Sequence, residues 1–153
     1  MAMTLTELRD KLSAIEPDEA TFSGISSEEI PLLEQLLDDD EAWMAARSVF
    51  ALSRLNNNDA FSVLTKASTS NRDEVRVAVA AAALKLPTDV ASRLLTVLLD
   101  DSDIGVKKFA IQSVTRENAP MLQTKLRSLV ESDLSNYIQR NAQERMLELG
   151  ITE

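Results

Sequence analysis

The chain has 153 residues, neither cysteine nor histidine, and 25 acidic against 16 basic side chains, for a formal net charge of −9. Such a length fits a single domain that buries roughly 68–70% of its unfolded surface, and the two absences remove disulfides, thiolate nucleophiles, imidazole bases and nearly every zinc site. The negative charge opposes sequence-independent attraction to nucleic acid or an anionic membrane; with no run near the ~20 apolar residues of a membrane span and a charged N-terminus, a cytoplasmic protein is expected.

Three Gly, four Pro and 4% aromatics favour helices over strands. Thr4 is a plausible N-cap for Leu5, Leu8, Leu12 and Ile15, which recur at helical spacing, so a first helix is expected over 5–15, ended by Pro17. Residues 16–27, with Ser23, Gly24, Ser26 and Ser27, read as loop, making 1–26 an N-terminal cap helix and connection. Ser26 and Glu29 form a capping box, Pro31 suits a first turn, and Leu32, Leu33, Leu36 and Leu37 carry a second helix over about 27–38. A third follows the acids at 38–41, with Trp43, Ala46, Val49, Phe50 and Leu52. After the turn Asn56, Asn57, Asn58, a fourth holds Phe61, Val63 and Leu64. The fifth, capped by Ser70 and Asn71, is apolar almost all round over 75–86, which makes it central and places 81–84 in the most buried layer. Pro87 and Thr88 open the sixth (Leu94, Leu95, Leu98, Leu99), and the acids at 100–103 lead into the seventh (Val106, Phe109, Ala110, Val114). The eighth starts at Asn118 and Pro120 (Leu122, Leu126, Leu129, Val130), and the ninth at Asp133 or Ser135 (Ile138, Ala142, Met146, Leu149), stopped by Gly150.

Leu52, Leu84, Val114 and Met146 align the second helix of each pair at separations of 32, 30 and 32 residues. This period, with short polar turns, means helical hairpins that bury their apolar faces only by stacking on neighbours. The stretches Val106, Lys107, Lys108, Phe109, Ala110 to Val114 and Ile138, Gln139, Arg140, Asn141, Ala142 to Met146 each follow turn aspartates. They resemble the HEAT-repeat family, whose second helix often reads V-R-x-x-A-x-x-A-L. The stretch 76–84 sits one residue out of step, and 44–52 departs further, with Arg47 where an apolar residue is usual. The resemblance covers about 30–150, includes the short bacterial members and the repeat type of phycobiliprotein lyases, and singles out no subfamily. It implies an all-α solenoid of stacked antiparallel helix pairs, about four repeats over 27–150 behind the N-terminal cap, within one domain spanning 1–153.

Candidate chemistry is sparse. The acids at 38–41 and 100–103 are hard-cation candidates, but neither matches a calcium loop, and carboxylates just before a helix are what capping and the macrodipole favour. Arg47, Arg76, Lys107 and Arg140 near the starts of second helices form a ladder that either grips acidic ligands or pairs with turn aspartates, as the resemblance implies. Trp43, Arg47, Phe50 and Arg54 share a stripe typical of interaction hot spots, with packing of Trp43 against the cap helix the weightier alternative. No catalytic residue, metal or cofactor is expected. The reading is a non-catalytic protein-interaction module that binds one protein or peptide, a basic one if charge steers, through Trp43, Arg47, Phe50, Arg54, Lys108, Gln112, Gln139 and Gln143, with no nucleic-acid or membrane partner. The alternatives are a lyase-like adaptor acting with a cofactor-bearing protein, or a structural, oligomerising repeat.

Overall fold

Four turns of the chain repeat one local device. Asp39, Ser70, Asp101 and Asp133, spaced 31, 31 and 32 residues apart, each accept the backbone N–H of the residue two further on, at 2.9, 3.1, 2.9 and 2.9 Å. A short polar side chain that mimics a backbone turn in this way reverses the chain between two helices. The computed structural model describes residues 3–15 and 17–151, and its regular structure is helical throughout: ten α-helices and two 3-10 turns.

In chain order these are α1 (Leu5–Leu12), α2 (Glu19–Ser23), a 3-10 turn (Ser27–Glu29), α3 (Ile30–Leu36), α4 (Ala42–Ser53), α5 (Asn58–Ala67), α6 (Asp73–Ala82), a second 3-10 turn (Ala83–Lys85), α7 (Thr88–Leu98), α8 (Ile104–Ser113), α9 (Ala119–Ser132) and α10 (Asn136–Glu148). The pairs α3/α4, α5/α6, α7/α8 and α9/α10 are the four hairpins that the resemblance implies. By contact the chain divides into two compact units, Met1–Val79 and Ala80–Glu153.

The first helices carry a ladder of leucines. Leu33, Leu64, Leu95 and Leu126 recur every 31 residues and all are fully buried; Leu36, Ala67, Leu98 and Leu129 repeat the interval one turn later and are buried too. The second helices carry three matching sets, Met44/Val75/Val106/Ile138, Ser48/Val79/Ala110/Ala142 and Leu52/Ala83/Val114/Met146, every member buried. The larger side chains of the first and third sets, Ala83 apart, fill space, while Ser48, Ala110 and Ala142 of the second set let helices approach closely. In the first unit α4 packs on α1, α3 and α5; in the second, α10 packs on α8 and α9.

Long polar side chains stitch the hairpins together by taking carbonyls that helix ends leave unpaired. The Arg47 guanidinium donates to Leu12 O at 2.6 Å and also to Ala14 O. Arg72 donates to Leu37 O and Asp39 O at 3.0 and 2.8 Å, and Arg145 to Val114 O at 2.7 Å. The Ser113 hydroxyl, in the second unit, reaches Ala80 O at 2.6 Å. Arg47, Ser113 and Arg145 thus each bind the end of the preceding repeat's second helix, and α1 fills that role for α4.

The expected caps are present at Thr4, at Ser26 with Glu29, and at Ser135, and Gly150 takes its positive φ of 75°. Three expectations are corrected. The first helix ends at Leu12, not 15: Ser13 closes it, and Ile15 is 94% exposed rather than part of the apolar stripe. The loop expected over 16–27 contains α2, started by a reciprocal capping box between Asp18 and Thr21 and anchored by the buried Phe22; Glu16 lies outside the described residues. The layer expected at 81–84 is wrong in register. Ala82 and Ala83 are buried, but Ala81 is exposed and Leu84 is 47% exposed. The continuous apolar run hid which face turns inward, and alanine pays little for facing water. With Ala83 in place of Leu84 the repeat runs 31, 31, 32, and Val75 and Arg76 fall in step with Val106 and Lys107.

Candidate functional site

Helical spacing puts Trp43, Arg47, Phe50 and Arg54 on one stripe of α4, and the first unit fixes each of them. Trp43 is 44% exposed, so it is no core residue packed under the cap helix. Its indole N–H donates to the Glu41 carboxylate, and the Arg47 guanidinium stacks over its ring at 5.1 Å. Arg47 is in turn held by the carbonyls at the end of α1. Phe50, 38% exposed, meets Phe22 of α2 edge-on at 4.9 Å. Arg54 lies over both rings, at 5.4 and 5.9 Å, and pairs with Glu19. Cation–π contacts of this kind are worth ~0.5–1 kcal/mol each when exposed, enough together to hold two large aromatic rings still while they face water.

The remaining candidates lie in the second unit and do not share one face. On α8 the Lys108 ammonium sits 5.7 Å from the Phe109 ring and 6.0 Å from that of Tyr137, which is 44% exposed. Gln112 is exposed one turn along. Gln139 instead turns back to donate to Asp133 O at 2.7 Å, as Arg76 does to Ser70 O at 2.7 Å. Gln143 lines an open cleft of about 640 Å³ with Arg127, Val130, Glu131, Met146, Leu147 and Ile151. Phe22, Glu19 and Tyr137 are not among the residues the sequence points to, and Phe109 is read from it only as a member of an apolar stripe, although Tyr137 stands at the same repeat position as Trp43.

Of the cationic ladder, Arg76 binds Asp73 at 2.8 Å besides Ser70 O, and Lys107 pairs with Asp133. Arg140 is exposed. Burial alone would raise the Asp133 carboxyl, whose side chain is 5% exposed, but the Lys107 ammonium and the Ser135 N–H overcome this and hold it below the usual carboxylate range. Asp18 is lowered too, by the Thr21 N–H and hydroxyl. The acidic clusters serve the turns: Asp39 and Asp101 close them, and Asp103 caps α8 at 3.0 Å. Among the described residues no group of three or more carboxylates is placed to hold a metal ion, and no helix is long and apolar enough to cross a membrane.

Charge divides unevenly. Residues 1–79 hold 15 of the acids and 7 of the bases, net −8, and residues 80–153 hold 10 and 9, net −1.

Paired helices, a period near 31 and Asx-type turns define a helical-repeat protein. The chain belongs to the HEAT-repeat family: the family model for HEAT repeats matches residues 29–115. No curated protein matches it. Among solved structures, the complex of CpcE and CpcF of phycocyanin lyase from Nostoc sp. PCC7120 contains a chain of similar fold, with a TM-score of 0.67 and 17% identity over 93% of this chain and 97% of that one. At that identity the likeness speaks for fold alone.

Proposed function

We propose that the protein is a non-catalytic interaction module, and that the α4 face of its first unit binds a basic segment of one protein partner. The observation that carries this is the pair Trp43 and Phe50, exposed yet immobilised by Arg47, Arg54 and the α1–α2 segment. Exposed aromatics that are ordered in advance lose little entropy on binding, which is how interface hot spots gain their energy. The net charge of −8 on residues 1–79 and the carboxylates of Glu41 and Glu19 beside the rings favour a cationic partner and speed its approach. HEAT repeats elsewhere present such helix faces to proteins, which supports the class.

Trp43 is the sole tryptophan, so its fluorescence reports this face alone. Affinity capture with the native host's proteins, followed by titration of the captured partner, should perturb Trp43 emission; Glu41→Lys, which reverses a carboxylate beside the ring, and Phe50→Ala should weaken the partner without unfolding the chain. Capture that survives both substitutions unchanged sinks the assignment of this face. A second reading, a lyase-like adaptor working with a cofactor-bearing protein, draws on the likeness to the phycocyanin lyase complex. It requires a bound chromophore or a chromophore-bearing protein to co-purify.

A further inference from the structure

The second unit carries cations that its own acids leave alone. Lys125 pairs with Asp100, Lys107 with Asp133, and Arg145 with Glu148. Lys108, next in sequence to Lys107, turns the other way: its ammonium rests against the rings of Phe109 and Tyr137, and among the described residues no carboxylate pairs with it. Arg140 stands one repeat on at the equivalent position, exposed on α10, which packs against α8. The face therefore combines two unneutralised cations, a half-exposed phenol ring and the exposed amide of Gln112. Burial against aromatic edges and faces keeps the Lys108 stem in place while leaving its charge available.

We propose that this α8/α10 face of the second unit is a contact surface that takes an acidic segment of a protein, with Lys108 and Arg140 meeting its carboxylates and Tyr137 and Gln112 lying beneath its backbone. Charge complementarity selects that occupant. In a chain of net charge −9, bulk electrostatics repels an acidic peptide, so local placement of cations has to supply the attraction. Arg140 and Lys108 offer it, and Glu144, exposed one turn beyond Arg140, limits it.

The test is a nitrogen–proton NMR titration of the full chain with a hexaglutamate peptide at low ionic strength. The amides of Lys108, Gln112, Tyr137 and Arg140 are expected to shift. Lys108→Ala with Arg140→Ala should weaken binding roughly fivefold to tenfold, the sum of two rim charges. Arg93→Ala, which removes an exposed cation of α7, should leave binding unchanged, and Glu144→Gln should tighten it. Absence of shifts at millimolar peptide overturns the proposal. So does an equal loss in Arg93→Ala, or a thymidine oligonucleotide that shifts the same amides at lower concentration than the peptide. None of these outcomes bears on Trp43, whose fluorescence separately reports the α4 face.

Discussion

Ala81 and Ala83 are two residues apart in one apolar run, and the fold gives them opposite fates. Ala83 is 1% exposed and occupies the repeat position of Leu52, Val114 and Met146, whereas Ala81 faces water. In Ala83→Arg a guanidinium enters a seam that α7 and α8 close over. Overpacking alone costs about 1–3 kcal/mol, and an unpaired charge that only partly escapes to solvent adds about 2 kcal/mol or more. A loss of about 4 kcal/mol, at roughly 2–4 °C per kcal/mol for a chain of this size, lowers Tm by roughly 10 °C. Ala81→Arg exchanges one good helix former for another on an exposed face and should cost under about 0.5 kcal/mol. Thermal melts followed by far-UV circular dichroism separate the two. If Ala81→Arg melts lower than Ala83→Arg, the 31-residue register is wrong and the Leu84 alignment is right.

Three further outcomes follow from named contacts. Asp133→Asn should destabilise the chain at neutral pH; because the folded-state carboxyl is lowered, that stabilisation is complete above the unfolded value of about 3.9 and fades as pH falls through the folded one. Urea titrations over a pH series should thus show wild type and variant converging below about pH 4, and a gap undiminished at about pH 2 rules the mechanism out. Arg145→Met strips Val114 O of both guanidinium donors and should cost about 1–3 kcal/mol, against under about 0.5 kcal/mol for Arg140→Met on the surface; equal losses by denaturant unfolding contradict the stitching role. Trp43→Ala should weaken the α4 partner roughly 30-fold, about 2 kcal/mol, while Tm moves by no more than about 3 °C; calorimetric titration and melting curves read the two effects separately.

The helices were legible because each amphipathic face repeats at 3.6 residues and because Thr4, Ser26 and Ser135 cap where their chemistry suggests. Two things were not. Residues 75–86 are so uniformly apolar that periodicity carries no phase, and the leucine alignment slipped by one; the better markers were Asp39, Ser70, Asp101 and Asp133, since a polar turn residue fixes phase where an apolar run cannot. The short α2 escaped because five residues give no periodicity, although Asp18 and Thr21 spell its capping box. At the candidate site, the α4 stripe could be read from spacing alone. Its immobilisation by Phe22, Glu19 and the end of α1 could not, because those partners lie 28 to 35 residues away. Gln139 and Gln143 do not join Lys108 and Gln112 in one binding surface as the sequence leads one to expect, because a side chain that serves its own turn and one that lines a cleft do not make a common face.

A chain that contains four copies of one unit supplies its own comparison. Where all four copies agree, packing or turn geometry explains the agreement: Leu33, Leu64, Leu95 and Leu126 are all buried, and the four turn acceptors all bind the same N–H. Where the copies differ at an exposed position, the fold has made no demand, and the choice of residue is free for another purpose. The position of Trp43 holds Glu74, Gly105 and Tyr137 in the other copies, so neither large ring there is required by the repeat. Each ring is nonetheless met by a cation, Arg47 for Trp43 and Lys108 for Tyr137. An aromatic that the scaffold does not need, held in place by contacts it need not make, is the pattern expected of a residue kept for binding, and at this one repeat position it occurs once in each unit.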